Sequence, residues 1–296
     1  MTIIGIRKVT YTISTLLVGV SILALFFWGL RLGIDFTGGS FLEIEFSGAR
    51  PENSEILNKL NESGIESAVI QPTGERGVIL RFKDINEEQH QQVLASLLTL
   101  GEFGEKRFDS IGPTIGKELR QKSFWAISLV LIMIVIYIAY VFRKVSRPIS
   151  SWKYGFAAII ALTHDIIIPT GVFAYLGRFY GVEVDTLFVT ALLTILGFSV
   201  HDTIVVFDRI RERLNKSQGK ENFESVVEGS IRSTIGRSIN TSLTVLIVMA
   251  VLYFLGGEST RFFSLAIIIG VFFGTYSSIF IASALLVSWN KHLQKS

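Results

Sequence analysis

The chain has 296 residues, 49% of them hydrophobic, a mean hydropathy of +0.49 and a formal net charge of +3. It is too apolar for an ordinary soluble domain, and without cysteine it has no disulfide or thiol chemistry. The net charge says little by itself; its placement along the chain says more.

Apolar residues come in blocks rather than in short periodic faces. Six blocks are long enough for a hydrocarbon core of roughly 30 Å: Tyr11–Leu30, Phe124–Phe142, Gly155–Leu176, Leu187–Phe207, Ile239–Leu255 and Phe262–Trp289. Arg7 and Lys8 give the first a basic leading edge, but no small-x-small cleavage site closes it, so an uncleaved anchor is expected. Residues 1–30 then form a cytoplasmic N-terminus and the first span, residues 31–122 a domain outside the membrane, and residues 123–296 a five-helix membrane domain.

In the 31–122 segment, Leu42, Ile44 and Phe46 alternate with Glu43 and Glu45, the pattern of a half-buried strand. Ile56, Leu57 and Leu60 share one face of a helix that Gly64 ends. Ala68–Ile70 and Val78–Phe82 read as strands joined by a turn at Pro72-Thr73-Gly74. Asn86 caps a helix carrying Val93, Leu94, Leu97 and Leu98, and Phe103–Ile111 is a last strand. The order β-α-β-β-α-β predicts an α+β ferredoxin-like sheet between the first two transmembrane helices.

Fifteen basic residues flank the spans on one side. They are Arg7 and Lys8, then Arg143, Lys144, Arg147 and Lys153, then seven between Arg209 and Arg237, then Lys291 and Lys295; the short loops of the other side carry Arg178 and Arg261. The positive-inside rule places both termini in the cytoplasm and residues 31–122 outside it. Topology accounts for the basic loops, so no nucleic-acid partner is expected. The loop 208–238 carries Phe223, Val226, Val227 and Ile231 at helical spacing, which predicts amphipathic helices lying on the membrane surface.

Two His–Asp pairs stand inside spans: His164-Asp165 and His201-Asp202. An aspartate near a helix centre costs roughly 2.5–3.5 kcal/mol on insertion scales. Such residues face a bundle interior or a wet cavity and mark ion or proton paths. Ser199 precedes Asp202 by three residues, and Arg209 follows by seven, setting Asp202 about 10 Å inside the membrane edge. Burial favours the neutral acid and a nearby cation the carboxylate, so an acid under both can load and unload a proton. In span three, Pro169 removes the helical donor of the Asp165 carbonyl. Arg237, Asn240, Thr241 and Thr244 share a helical stripe, and their common direction suggests an inward face that offers Arg237 to Asp202. The alternative is that Arg237 snorkels to the interface. Gly270, Gly274, Ser278 and Ala282, each four apart, form a small-xxx-small packing row. Neighbouring helical residues point about 100° apart, so neither His–Asp pair chelates an ion from one face; no metal site and no cofactor are expected. His164, His201, Ser199 and Thr241 are candidates for tuning the acids.

These motifs together resemble the SecF family, the smaller membrane subunits of bacterial SecD–SecF protein-export complexes. The resemblance rests on Gly33-Ile34-Asp35-Phe36-Thr37-Gly38-Gly39, Gly112-Pro113-Thr114-Ile115-Gly116-Lys117-Glu118-Leu119, Ala161-Leu162-Thr163-His164-Asp165, Gly197 to Glu212, and Phe254-Leu255-Gly256-Gly257. One departure is visible: the family pattern has Asn before the span-four aspartate, where this chain has His201. The resemblance implies a six-span half of a pseudo-symmetric assembly, related to the resistance-nodulation-division transporters. It implies a SecD-like partner, the SecYEG channel, SecA as the separate ATP-driven motor, and translocating unfolded polypeptide outside a bacterial cell membrane. It maps the proton-path acid onto Asp202, its basic partner onto Arg237 and a supporting acid onto Asp165. Asp35, Gly38 and Gly39 are read as the structural turn out of span one.

Other readings are a half-transporter of the same superfamily exporting lipid or small molecules, and a non-catalytic scaffold of the translocase. An external domain of about 90 residues argues against the former, because a large substrate pocket needs more material. An enzyme is not expected, since no nucleophile–base set or metal motif stands in the spans.

Overall fold

The computed structural model of the protein describes residues 2–65, 67–142, 150–217 and 220–293. Of the basic residues above, Arg143, Lys144, Arg147 and Lys295 lie outside the described residues. The chain divides into two units, Met1–Arg31 with Trp125–Ser296, and Leu32–Phe124.

The first unit is helical. Among the described residues, six stretches are long and apolar enough to cross a membrane. They are built from α1 (Arg7–Trp28), α5 (Pro113–Val141), α6 (Ser151–Tyr180), α7 (Thr186–Ser217), α8 (Phe223–Leu255) and the pair α9 (Glu258–Ser277) and α10 (Ser283–Leu293). A π-helical turn, Ser278–Ala282, joins α9 to α10. α6, α7 and α9 form the interior, whereas α5 and most of α8 turn their apolar surface outward. α5 begins well before its apolar block, with Pro113 in the first turn, where the missing N–H costs no helical bond. α6 continues through Pro169.

The helices run further than the apolar blocks alone suggested, and this corrects the loop 208–238. Its residues 208–217 are the end of α7 and 223–238 the start of α8, not helices lying on a membrane surface. Phe223, Val226, Val227 and Ile231 are buried in a core with Ile4, Phe207, Ile210 and Leu286. Protein, not lipid, covers the apolar stripe. Phe142, Tyr154 and Phe207 meet in the same core, with Phe142 and Tyr154 stacked at 5.4 Å. At the rim, Glu228 of α8 accepts from the backbone N–H groups of Ile3 (3.0 Å) and Ile4 (2.9 Å). Glu224 pairs with both Arg7 (2.8 Å) and Lys291 (2.6 Å), so one helix end ties down both terminal segments.

The second unit is a four-stranded antiparallel sheet with two helices packed on one face. Its strands are β1 (Gly39–Phe46), β2 (Val69–Thr73), β3 (Gly77–Phe82) and β4 (Phe103–Ile111), in the order β2-β3-β1-β4. Between them run α3 (Asn53–Glu62) and α4 (Glu87–Leu98), giving the split βαβ arrangement; a short helix, α2 (Ile34–Thr37), precedes β1. Leu42, Ile44 and Phe46 point into the core, with Ile56 and Leu60 of α3 and Val93 and Leu97 of α4. Leu57 and Leu98, expected on the buried helix faces, are exposed. β2 extends through Pro72 to Thr73, where a turn was expected. It is an edge strand, where a proline's missing N–H need not cost a ladder bond.

Two of the glycine motifs meet in this unit. Gly38 and Gly39 have φ of 73° and 121°, which disfavour side chains. A Cβ on Gly39 would lie 2.8 Å from the Phe82 carbonyl oxygen, and one on Gly38 2.8 Å from the Pro113 Cα. A Cβ on Gly116 would lie 2.8 Å from the Gly38 N. The entry to β1 and the start of α5 therefore pass backbone against backbone. Gly39→Ala is expected to destabilise the full chain by about 1–3 kcal/mol, the usual cost of a strained backbone position. Gly104→Ala, which meets open space, serves as the control. Thermal unfolding of both variants in detergent checks this; equal melting temperatures refute it.

Candidate functional site: two buried acids in the bundle

The bundle interior holds two carboxyl groups. Asp165 of α6 has no exposed surface and Asp202 of α7 is 4% exposed. Each is met by hydroxyls from neighbouring helices, as burial of a polar group requires. Asp165 Oδ2 accepts from Ser199 Oγ of α7 at 2.5 Å and from Ser277 Oγ of α9 at 2.7 Å. His164 Nδ1 lies 2.8 Å from Asp165 Oδ1. Asp202 Oδ1 accepts from Ser238 Oγ of α8 at 2.8 Å, and Ser278 Oγ stands 3.5 Å from Oδ2, a long contact.

Consecutive residues thus serve different acids. Neighbours on a helix diverge by about 100°, so Ser277 faces α6 while Ser278 faces α7. Both lie where α9 passes into the π-helical turn, in which Ser283 Oγ donates to the Ser278 carbonyl at 2.9 Å. Such turns recur at functional sites. α7 links the acids as well: it carries Asp202 itself and, one turn earlier, Ser199, the donor to Asp165.

Ser277 and Ser278 each have two acceptors. Ser277 Oγ is 3.1 Å from the Gly274 carbonyl, and Ser278 Oγ is 3.0 Å from the Thr275 carbonyl. A hydroxyl has one proton to donate and lone pairs to accept with. Facing a carboxylate, Ser277 gives its proton to Asp165. Facing the neutral acid, it turns that proton to Gly274 and accepts from Asp165. At Asp165, rotating the Ser277 hydroxyl satisfies either protonation state without moving a helix.

The structure differs from the sequence reading in several places. Arg237, Asn240, Thr241 and Thr244 are exposed on α8, so the expected inward stripe is not the inward one. The buried row is Ser230, Thr234, Ser238 and Ser242, one position round the helix. Among the described residues no hydrogen bond or ion pair joins Arg237 to Asp202; the hydroxyl in contact is that of its neighbour Ser238. His201 is exposed and points away from Asp202. The His164–Asp165 pair, by contrast, does meet, because both side chains are buried on the same side of α6. Ser278, read as packing alone, also reaches Asp202. Gly270 and Gly274 sit against Ile195 and Ser199, where a Cβ would come within 2.2 Å and 3.1 Å. This close approach puts Ser277 and Ser278 within reach of the acids. Asp35, Gly38 and Gly39 belong to the other unit and take no part here.

Sequence reasoning missed Ser238 and Ser277. The signal for the first was present: Ser230, Thr234, Ser238 and Ser242 recur every four residues, the small-residue spacing of close helix contacts. Ser242 extends that row to α9, bonding Thr275. Ser277→Ala leaves a buried carboxyl oxygen short of a donor and is expected to cost about 1–3 kcal/mol. Thr244→Ala, on the exposed face, is expected to stay within about 0.5 kcal/mol. Thermal unfolding of the detergent-solubilised full chain separates the two.

The comparisons with known proteins follow this layout. The family model described as protein export membrane protein SecD/SecF, C-terminal, matches residues 92–292, and the SecD/SecF GG motif matches residues 23–49. The protein translocase subunit SecF of Thermobaculum terrenum is 45% identical over 297 residues, covering 96% of this chain and 92% of that protein. Its counterpart in Anaerolinea thermophila is 38% identical, covering 98% and 94%. The crystal structure of SecDF from Thermus thermophilus, described as a translocon-associated membrane protein, superposes with a TM-score of 0.84 at 32% identity, covering 98% of this chain and 39% of that one. The chain thus spans about two fifths of the solved SecDF polypeptide. A multi-pass membrane protein with this sheet, these glycine motifs and these buried acids belongs to the SecF family of protein translocase subunits, members of the SecD/SecF protein-export complex.

Proposed function

We propose that this chain, with a SecD-like partner, uses the proton motive force to promote preprotein translocation through the SecYEG channel after the ATP-driven step of SecA. Both termini then lie in the cytoplasm of a bacterial cell with the chain in its plasma membrane, and residues 31–122 face the other side, where they meet the emerging unfolded polypeptide. Asp202 carries the proton, Asp165 supports it and Arg237 supplies the neighbouring positive charge.

The observation that supports this reading is the pair of buried carboxyls, each met by hydroxyls of neighbouring helices, of which Ser277 at Asp165 and Ser278 near Asp202 also have a backbone carbonyl as a second acceptor. A purely structural acid is best locked by fixed donors. An acid that must be charged at one moment and neutral at another needs partners that satisfy both forms. Arg237 suits a conditional role because it precedes Ser238, the donor to Asp202, on α8 and is not itself bonded to the acid.

The energetics are compatible. One charge moved across 100 mV releases about 2.3 kcal/mol, enough to bias a two-state equilibrium by roughly 50-fold. A single proton per cycle can rectify the backsliding of an unfolded chain but cannot pull a folded domain apart.

The test is translocation into vesicles holding the full chain, its SecD-like partner and the channel, under an imposed proton gradient. Asp202→Asn is expected to abolish the gradient-dependent part of translocation while the partner still co-purifies. Arg237→Ala is expected to reduce it strongly. Wild-type translocation by Asp202→Asn under the gradient refutes proton carriage; an unaltered rate in Arg237→Ala reduces that residue to an interface anchor.

A further inference from the structure

The α+β unit has a buried ionisable side chain of its own. His90, on the first turns of α4, is 4% exposed, and no other ionisable side chain among the described residues of that unit is buried. Neither of its ring nitrogens has a hydrogen-bond partner among the described residues, although buried polar atoms ordinarily have one. Nδ1 lies 3.4 Å from Glu87 Oε1 of the same helix, and Nε2 lies 3.5 Å from Glu105 Oε2 of β4. The ring lies flat on Phe108 of β4, with 3.6 Å between centroids and 4° between planes. That stacking holds the ring plane, so each nitrogen stays aimed at its own carboxyl group.

A neutral imidazole has one N–H and one lone pair. Between two carboxylates, either tautomer turns its lone pair toward a carboxylate oxygen. Only the imidazolium donates on both sides, and hydrogen bonds between charged partners are the shorter and stronger ones. The Gln91 amide donates to Glu87 Oε1 at 2.7 Å and holds that carboxyl below its usual range, so it is a carboxylate at neutral pH. Glu87 is 71% exposed and Glu105 33% exposed, so water reaches the partners of both nitrogens and a proton has a way to the ring. The charged groups that face the ring are thus Glu87 from α4 and Glu105 from β4. Glu88, next to Glu87 in the first turn, is exposed. These carboxylates offset the positive end of α4, which alone opposes a cation so near a helix N-terminus.

The entry to α4 also has a fixed attachment. Ser110 Oγ of β4 donates to the Ile85 carbonyl at 2.8 Å, and the Ile85 N–H donates to Ser40 Oγ of β1 at 3.1 Å. Hydroxyls and backbone groups keep their protons across the physiological range, so this contact ignores pH. His90 stands about one turn further on, where the same helix meets the same strand through a group that takes up and gives up a proton in that range. We propose that His90 is an acid-operated clamp: on gaining a proton it bonds Glu87 and Glu105 at once and fastens α4 to β4. When the ring is neutral it only fills space against Phe108, and α4 opens from β4 more readily about the fixed contact at Ile85. The strand it fastens runs on through Gly112 into α5. The clamp lies wholly within the α+β unit; it goes beyond the proton-coupled reading above and does not rest on it.

The experiment is hydrogen–deuterium exchange of the full chain in detergent, corrected for the intrinsic pH dependence of amide exchange. Peptides spanning residues 86–98 and 103–111 report the opening of α4 and β4. Protection of the wild type is expected to be about fivefold greater at about pH 5.5 than at about pH 8, the scale of one or two ion pairs gained. His90→Gln is expected to lose that difference. Glu105→Gln is expected to shrink it and to raise protection at the higher pH, because the new amide donates to the Nε2 lone pair while Nδ1 keeps its proton toward Glu87. A purely structural contact would instead lose protection at both pH values. Equal protection of the wild type at the two pH values overturns the clamp, and so does a difference that survives in His90→Gln. Lower protection of Glu105→Gln at both pH values overturns it as well.

Discussion

Everything in the helical unit depends on keeping two carboxyl groups in the middle of an apolar bundle. A bare carboxylate there is prohibitively unstable, and even a neutral acid needs hydrogen-bond partners. The bundle answers with hydroxyls, from α7 and α9 for Asp165 and from α8 and α9 for Asp202. A buried cation would hold an acid in one charge state. A hydroxyl donates to the carboxylate and accepts from the acid, so it satisfies both.

That choice dictates the packing. Serine is short, so its oxygen reaches a neighbouring helix only where two helices lie close. The small residues are placed accordingly. Gly270 and Gly274 let α9 approach α7, and the Ser230 to Ser242 row turns α8 toward the same centre. The π-helical turn begins just after these contacts, and the two residues at its start, Ser277 and Ser278, divide between the acids. A one-residue change of register on α9 would exchange or lose both contacts. The polar centre and the small-residue rows are therefore one feature, and the close contacts serve the chemistry rather than standing apart from it.

The α+β unit obeys a different constraint. Its sheet and two helices follow from alternation and helical spacing within the segment, with Leu42, Ile44 and Phe46 set against Ile56, Leu60, Val93 and Leu97. What the local patterns do not contain is the meeting of Gly38-Gly39 with Gly112 to Gly116. Those residues are some seventy apart in the chain and touch through backbone, so no side-chain periodicity announces the contact.

The amino-acid sequence by itself determined the number of spans, the α+β order, the two acids at membrane depth and the family to which the chain is related. Each follows from local or near-periodic quantities: length of an apolar run, alternation of side chains, the cost of a charge in hydrocarbon. Tertiary structure decided which partner each acid has. Arg237 and Ser238 are neighbours in the chain, and only the rotation of α8 against α7 makes Ser238 the inward one. His164 and His201 stand in identical His-Asp pairs, yet one is buried against its aspartate and the other faces outward, because α6 and α7 present different faces to the bundle. A helical repeat sets the angle between residues on one helix; the direction in which a whole helix faces comes from close packing with its neighbours, and that depends on every side chain at the contact at once.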